Sequence, residues 1–201
     1  MKHHFSLLVI IPISFLFMAC HHGDNLNKEE VLQSALEYFP YQEGDILIFY
    51  NATTDDTISI AAVCPSNKNS LYAYVDEITR DSEWLIRVLT DLKIEKPEVP
   101  NSIISSAAVI SGSYSSEMIQ MRWYANIVFS KITEYYASLI SKCKPEDLYN
   151  HFTDTICLPI EQIYNGKNVE EADENAYVNI VKSRGITDFS LDGKTIWNRV
   201  K

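Results

Sequence analysis

In several stretches of this chain, apolar residues recur at every second position, the period of a strand with one buried face. Leu71, Ala73 and Val75 alternate with Tyr72, Tyr74 and Asp76. Ile46 to Tyr50 and the β-branched run Thr57 to Val63 flank turn material at Asn51 to Asp56, which predicts a hairpin. The segment Glu117 to Ser141 admits two readings. Met118, Met121, Ala125, Val128, Ile132, Tyr135 and Leu139 satisfy helical spacing, yet Ile119, Met121, Trp123, Ala125, Ile127 and Phe129 alternate with Gln120, Arg122, Asn126 and Ser130. The centre is rich in β-formers and poor in strong helix formers, so we expect two strands with a turn near Ser130–Lys131.

Helical signals are few and short. Asn27 stands three residues before Glu30, the spacing of a capping box, and Val31, Leu32, Ala35 and Leu36 follow until Pro40 stops the helix. Pro145 followed by Glu146 and Asp147 predicts a helical turn or two over Lys144 to Phe152. Arg80 to Lys96 is ambiguous, because Trp84, Val88 and Leu92 also fit a helix stripe. Further strands are expected at Thr155 to Ile160, Ala176 to Val181, Gly185 to Phe189 and Thr195 to Val200. Turns are expected at Asn165–Gly166 and Asp192–Gly193, and an acidic loop over Asn168 to Asn175. The sum predicts a mainly β fold, an antiparallel sandwich or barrel with a few short helices.

The first twenty residues carry an address. Lys2, His3 and His4 precede an apolar run from Leu7 to Phe17, and the stretch closes on Phe17-Met18-Ala19-Cys20. This is secretory signal grammar, too short for a stable spanning helix. Its cysteine ending resembles a bacterial lipobox, which implies lipidation at Cys20. The expected organisation is a signal peptide at 1–19, a lipidated tether at 20–27 and one mainly β domain at 28–201. The 201 residues carry a formal net charge of −10, which argues against nucleic acid as a partner and fits a body held to a membrane by acyl chains.

Tyr38-Phe39-Pro40-Tyr41, Gly44-Asp45 and the strand to Asn51 resemble the opening of small uncharacterised lipoproteins of Gram-negative envelopes. Tyr177 to Lys182, Gly185-Ile186, Phe189, Asp192-Gly193-Lys194 and Trp197 resemble their closing strands. The resemblance implies an outer-membrane lipoprotein, facing the periplasm or the exterior, and assigns no catalytic residue.

Chemistry-bearing residues are sparse. His151 is the one histidine of the expected domain, so a triad-type hydrolase would have to use it as base, with Asp154 placed to orient it and Cys143 or Cys157 near in sequence. A carboxylate pair is the other hydrolytic option. Cys143 and Cys157 flank one short segment and are candidates for a disulfide, with buried free thiols the equal alternative. Their spacing with His151 matches no common zinc site, the acidic loop lacks the pattern of an EF-hand, and no glycine-rich phosphate loop is present. Neither metal nor cofactor is expected. Twelve tyrosines are generous for this length. Tyr135 and Tyr136 must face opposite sides of a strand, so one is a candidate for stacking on a sugar ring or holding an apolar ligand. The expectation is therefore a non-catalytic binding module for a protein, glycan or small apolar molecule. A hydrolase and a purely structural lipoprotein are the alternatives.

Overall fold

Alternation in the sequence becomes alternation across a wall. The computed structural model describes residues 26–42, 44–62, 71–78, 83–96, 103–113, 118–128 and 133–200. The expected signal peptide, Cys20 and the turn expected near Ser130–Lys131 lie outside them. One α-helix, α1 (Lys28–Leu36), precedes twelve strands in the described residues. These are β1 (Ile46–Asn51), β2 (Asp56–Ala62), β3 (Leu71–Ile78), β4 (Glu83–Lys96), β5 (Ile103–Ser113), β6 (Ile119–Val128), β7 (Thr133–Cys143), β8 (Thr155–Asn165), β9 (Asn168–Glu171), β10 (Tyr177–Val181), β11 (Gly185–Ser190) and β12 (Ile196–Arg199). A 3₁₀ helix at Pro145–His151 joins β7 to β8, with Pro145 at its start as expected.

Every pairing is antiparallel, and the ladder runs β10-β11-β12-β1-β2-β4-β5-β6-β7-β8. It then returns on itself, because the first half of β8 pairs with β10, Tyr177 opposite Pro159 and Val181 opposite Thr155. The result is a barrel, which leaves no edge along most of the ring. β3 continues the line of β2 along β4, and β9 extends β8 through a hairpin in which Asn165 faces Asn168.

Two expectations change. Arg80 to Lys96 supplies strand β4 instead of a helix, pairing with β5 over its length from Glu83 to Lys93. The acidic loop is strand in its first half, where β9 pairs with β8. By contrast, β6 and β7 form the two antiparallel strands expected of residues 117–141, with Trp123 opposite Leu139.

The buried face of the wall is apolar. Leu47 and Phe49, Ile58 and Ile60, Met121, Trp123 and Ala125, and Ile156, Leu158 and Ile160 belong to one core cluster. Asn27 caps α1 by accepting from the Glu30 N–H, and Val31, Leu32 and Ala35 are buried. α1 lies beside β3 and β4. After it, Tyr38 and Phe39 reach the lumen: the Tyr38 ring meets Trp123 edge-on at 4.8 Å, and Phe39 stacks on Trp123 at 6.3 Å. Phe152, leaving the 3₁₀ helix, closes the cluster edge-on to Trp123. The Tyr38 hydroxyl donates to the Thr153 carbonyl, and Lys182 Nζ pairs with Glu37 at 2.8 Å. Aromatic rings thus plug one end of the barrel.

Candidate functional site

The outer wall is shaped by residue size. On β6 the positions opposite the buried face are Gln120, Arg122 and Tyr124. Their cross-strand neighbours on β5 are Ser111, Val109 and Ala107, all smaller. On the other side, Ser138 of β7 lies opposite Tyr124. Large polar side chains on one strand, flanked by small ones on the next, leave a trough in the surface. Val109, Ser111, Gln120, Arg122, Tyr124 and Tyr136 line it, and it encloses about 390 Å³. That is within the usual range of ligand sites.

Hydrogen bonds hold the end of the trough where Tyr136 stands. Tyr136 is the cross-strand partner of Asn126. Asn126 donates through Nδ2 to Glu134, while its Oδ1 is shielded from solvent and has no donor among the described residues. Beside it, the Ser138 hydroxyl donates to Glu161 at 3.0 Å. Arg122 is exposed and makes no hydrogen bond or ion pair with the described residues. The trough therefore offers two phenol rings, an unengaged guanidinium, an amide and a hydroxyl.

Of the residues singled out from sequence, Tyr136 belongs to this site. Tyr135 packs against the core from the other face of β7, where burial first and the Asp192 charge second raise its pKa. That division of the Tyr135–Tyr136 pair is the one the strand period predicts.

Among the described residues His151 and Asp154 are not hydrogen-bonded to each other. His151 sits half-buried at the end of the 3₁₀ helix without a hydrogen bond or ion pair to the described residues. The Asp154 side chain is exposed, and it is the Asp154 backbone carbonyl that is engaged, accepting from the Lys182 N–H at 2.9 Å.

Of the two alternatives for Cys143 and Cys157, the disulfide is not formed; both are free thiols. Cys143 is opposite Ile119 on the buried side of the wall, whereas Cys157 occupies an exposed position between buried Ile156 and Leu158. Closeness along the chain is defeated by opposite faces. Burial raises both thiol pKa values, and the charges of Asp147 and Asp188 respectively add to this, so neither is tuned as a nucleophile.

Among the described residues no three His, Cys, Asp or Glu side chains converge as metal ligands. A second crevice of about 330 Å³, at the rim, includes Asp45, Ser183, Arg184 and Arg199. Its polar groups are largely turned inward: Arg199 donates to the Arg184 carbonyl, and Asp45 accepts from the Gln42 N–H at 2.8 Å.

Sequence reasoning missed most of the trough. Gln120 and Arg122 were legible as the polar side of a strand, but β5, which supplies the low floor, carried no comparable signal. No family model, curated protein or solved structure matches this chain.

Proposed function

We propose that this protein is a lipid-anchored binding module of the cell envelope that holds a glycan in the trough on β5, β6 and β7. One observation carries the reading: two phenol rings, a guanidinium and an amide line a single open trough, while aromatic side chains fill the described interior. Sugars present apolar C–H faces to rings and hydroxyls to polar groups, and this lining offers partners for both. Trp123, Tyr38, Phe39, Phe49 and Phe189 are among the largest fully buried side chains, which favours a solid core over an apolar-ligand carrier. The lipobox-like Phe17 to Cys20 supports the anchor.

The test is a titration of the folded domain with an oligosaccharide panel, followed by NMR or calorimetry. Binding that Tyr136→Ala weakens without lowering the melting temperature is expected. Failure of every glycan at millimolar concentration removes the reading.

A second reading, assembly, rests on β7. Its ladder with β8 shifts register between Tyr136 and Ala137 and ends there, so, among the described residues, 138–143 pairs with β6 alone. Leu139 and Ile140 are 39 % and 49 % exposed on opposite faces of this open edge, the kind of edge that adds a strand from another chain. Sedimentation of wild type against Ile140→Lys decides it: a monomer in both cases removes this reading.

A further inference from the structure

We infer that the trough selects sugars bearing a carboxylate, with Arg122 as the group that reads it. The inference rests on the glycan reading above and adds a ligand class to it. Arg122 is central in the row Gln120, Arg122, Tyr124, with Val109 its smaller neighbour on β5. Same-face positions on a strand repeat at roughly 6–7 Å, so the guanidinium is one such step from the Tyr124 position on one side and the Gln120 position on the other.

A structural arginine on a sheet surface ordinarily faces a carboxylate across the strand. Here the cross-strand neighbours of Arg122 are Val109 and Ile140, neither of which can accept a hydrogen bond through its side chain. Glu161, on the neighbouring strand β8, is engaged elsewhere, accepting from the Ser138 hydroxyl. The planar fork of donors on Arg122 is therefore left for a ligand, and its geometry suits a carboxylate held by two parallel bonds. A neutral sugar would need no such charge; Gln120 and Ser111 already supply hydroxyl partners. The chain as a whole is acidic, at −10, so an anionic ligand gains nothing from the long-range field and depends on this one contact.

A uronic acid residue carries a carboxylate for Arg122 and ring hydroxyls for the Gln120 amide and the Ser111 hydroxyl, which also line the trough.

The test uses oligomers of galacturonate, glucuronate and mannuronate, each beside its methyl ester, so that charge changes while the ring does not. At least one acid should bind tenfold to a hundredfold more tightly than its ester, and Arg122→Gln should abolish that preference while binding of the ester persists. Arg122 is exposed, so the variant should fold; an unchanged melting temperature checks this. Equal binding of acid and ester, both weakened by Tyr136→Ala, overturns the carboxylate preference and leaves the glycan reading standing. Absence of binding by every oligomer and by neutral sugars overturns both.

Discussion

Gly185→Ala should be one of the costliest single-methyl additions in this chain. Gly185 opens β11 with φ near +72°, where an L side chain meets its own backbone at a cost of about 1–2 kcal/mol. A Cβ built there would lie 2.1 Å from the Tyr41 hydroxyl oxygen and 2.4 Å from Cζ, well inside contact distance. Tyr41 cannot easily retreat. It is 6 % exposed, and its hydroxyl accepts the Ile186 N–H at 2.5 Å. Displacing the ring leaves that buried N–H unpaired, at roughly 1–3 kcal/mol. The combined loss of about 2–5 kcal/mol corresponds to a melting temperature lower by roughly 4–20 °C for a domain of this size. Urea titration and thermal melts measure it. A double-mutant cycle with Tyr41→Ala then isolates the contact, because in that background Gly185→Ala should cost only the φ strain, about 1–2 kcal/mol. A cost that is the same in both backgrounds, or below about 0.5 kcal/mol in the wild type, refutes the reasoning.

Acid should loosen the turn before β12. Burial alone would raise the Asp192 pKa, but hydrogen bonds from the Thr195 N–H and hydroxyl and from the Lys194 N–H outweigh it and hold it at about 2 against an ordinary 3.8. A depressed folded-state pKa stabilises above the unfolded value and is lost as pH falls through the folded one. Asp192→Asn should therefore flatten the stability curve between about pH 4 and pH 2; an unchanged slope there counts against the cap. The reverse sign holds for Tyr41, whose pKa burial pushes up to about 12 from 10.0: its contribution fades as pH climbs through that interval, and Tyr41→Phe should remove that part of the alkaline loss. Cys157, exposed but with a raised pKa, should react with a thiol reagent more slowly at pH 8 than a free cysteine peptide, and Cys157→Ser should change stability by less than about 0.5 kcal/mol.

Local grammar was legible where one period dominated. Asn27 with Glu30 marked the start of α1, and the polar and apolar alternation of 119–128 marked β6 correctly over a competing helical spacing. Strand β4 was ambiguous for a simple reason: Trp84, Val88 and Leu92 are four apart, a spacing that satisfies both a helix face and every second residue of a strand. Partners decided it, and partners are not written locally. The same holds for the trough. Val109 and Ser111 are each unremarkable alone, and become a floor only when the register sets them beside Arg122 and Gln120. For the cysteines, closeness along the chain left a bridge and free thiols equally open, because it does not fix closeness in space. Strand parity put Cys157 on the exposed side of the wall and Cys143 on the buried one.

The ring has a consequence for the order in which the protein is made. β12 fits between β11 and β1, with Phe49 opposite Arg199, so the first strand of the barrel waits for the last. Until that strand arrives, β1 and β11 each present a bare edge, and both are flanked by fully buried phenylalanines, Phe49 and Phe189. Such a contact between distant parts of the chain is slow to form. A growing polypeptide would therefore spend its whole emergence as an open, adhesive sheet. Shielding by a chaperone matters most for β1, and a deletion reaching β12 would be felt as aggregation at the opposite terminus.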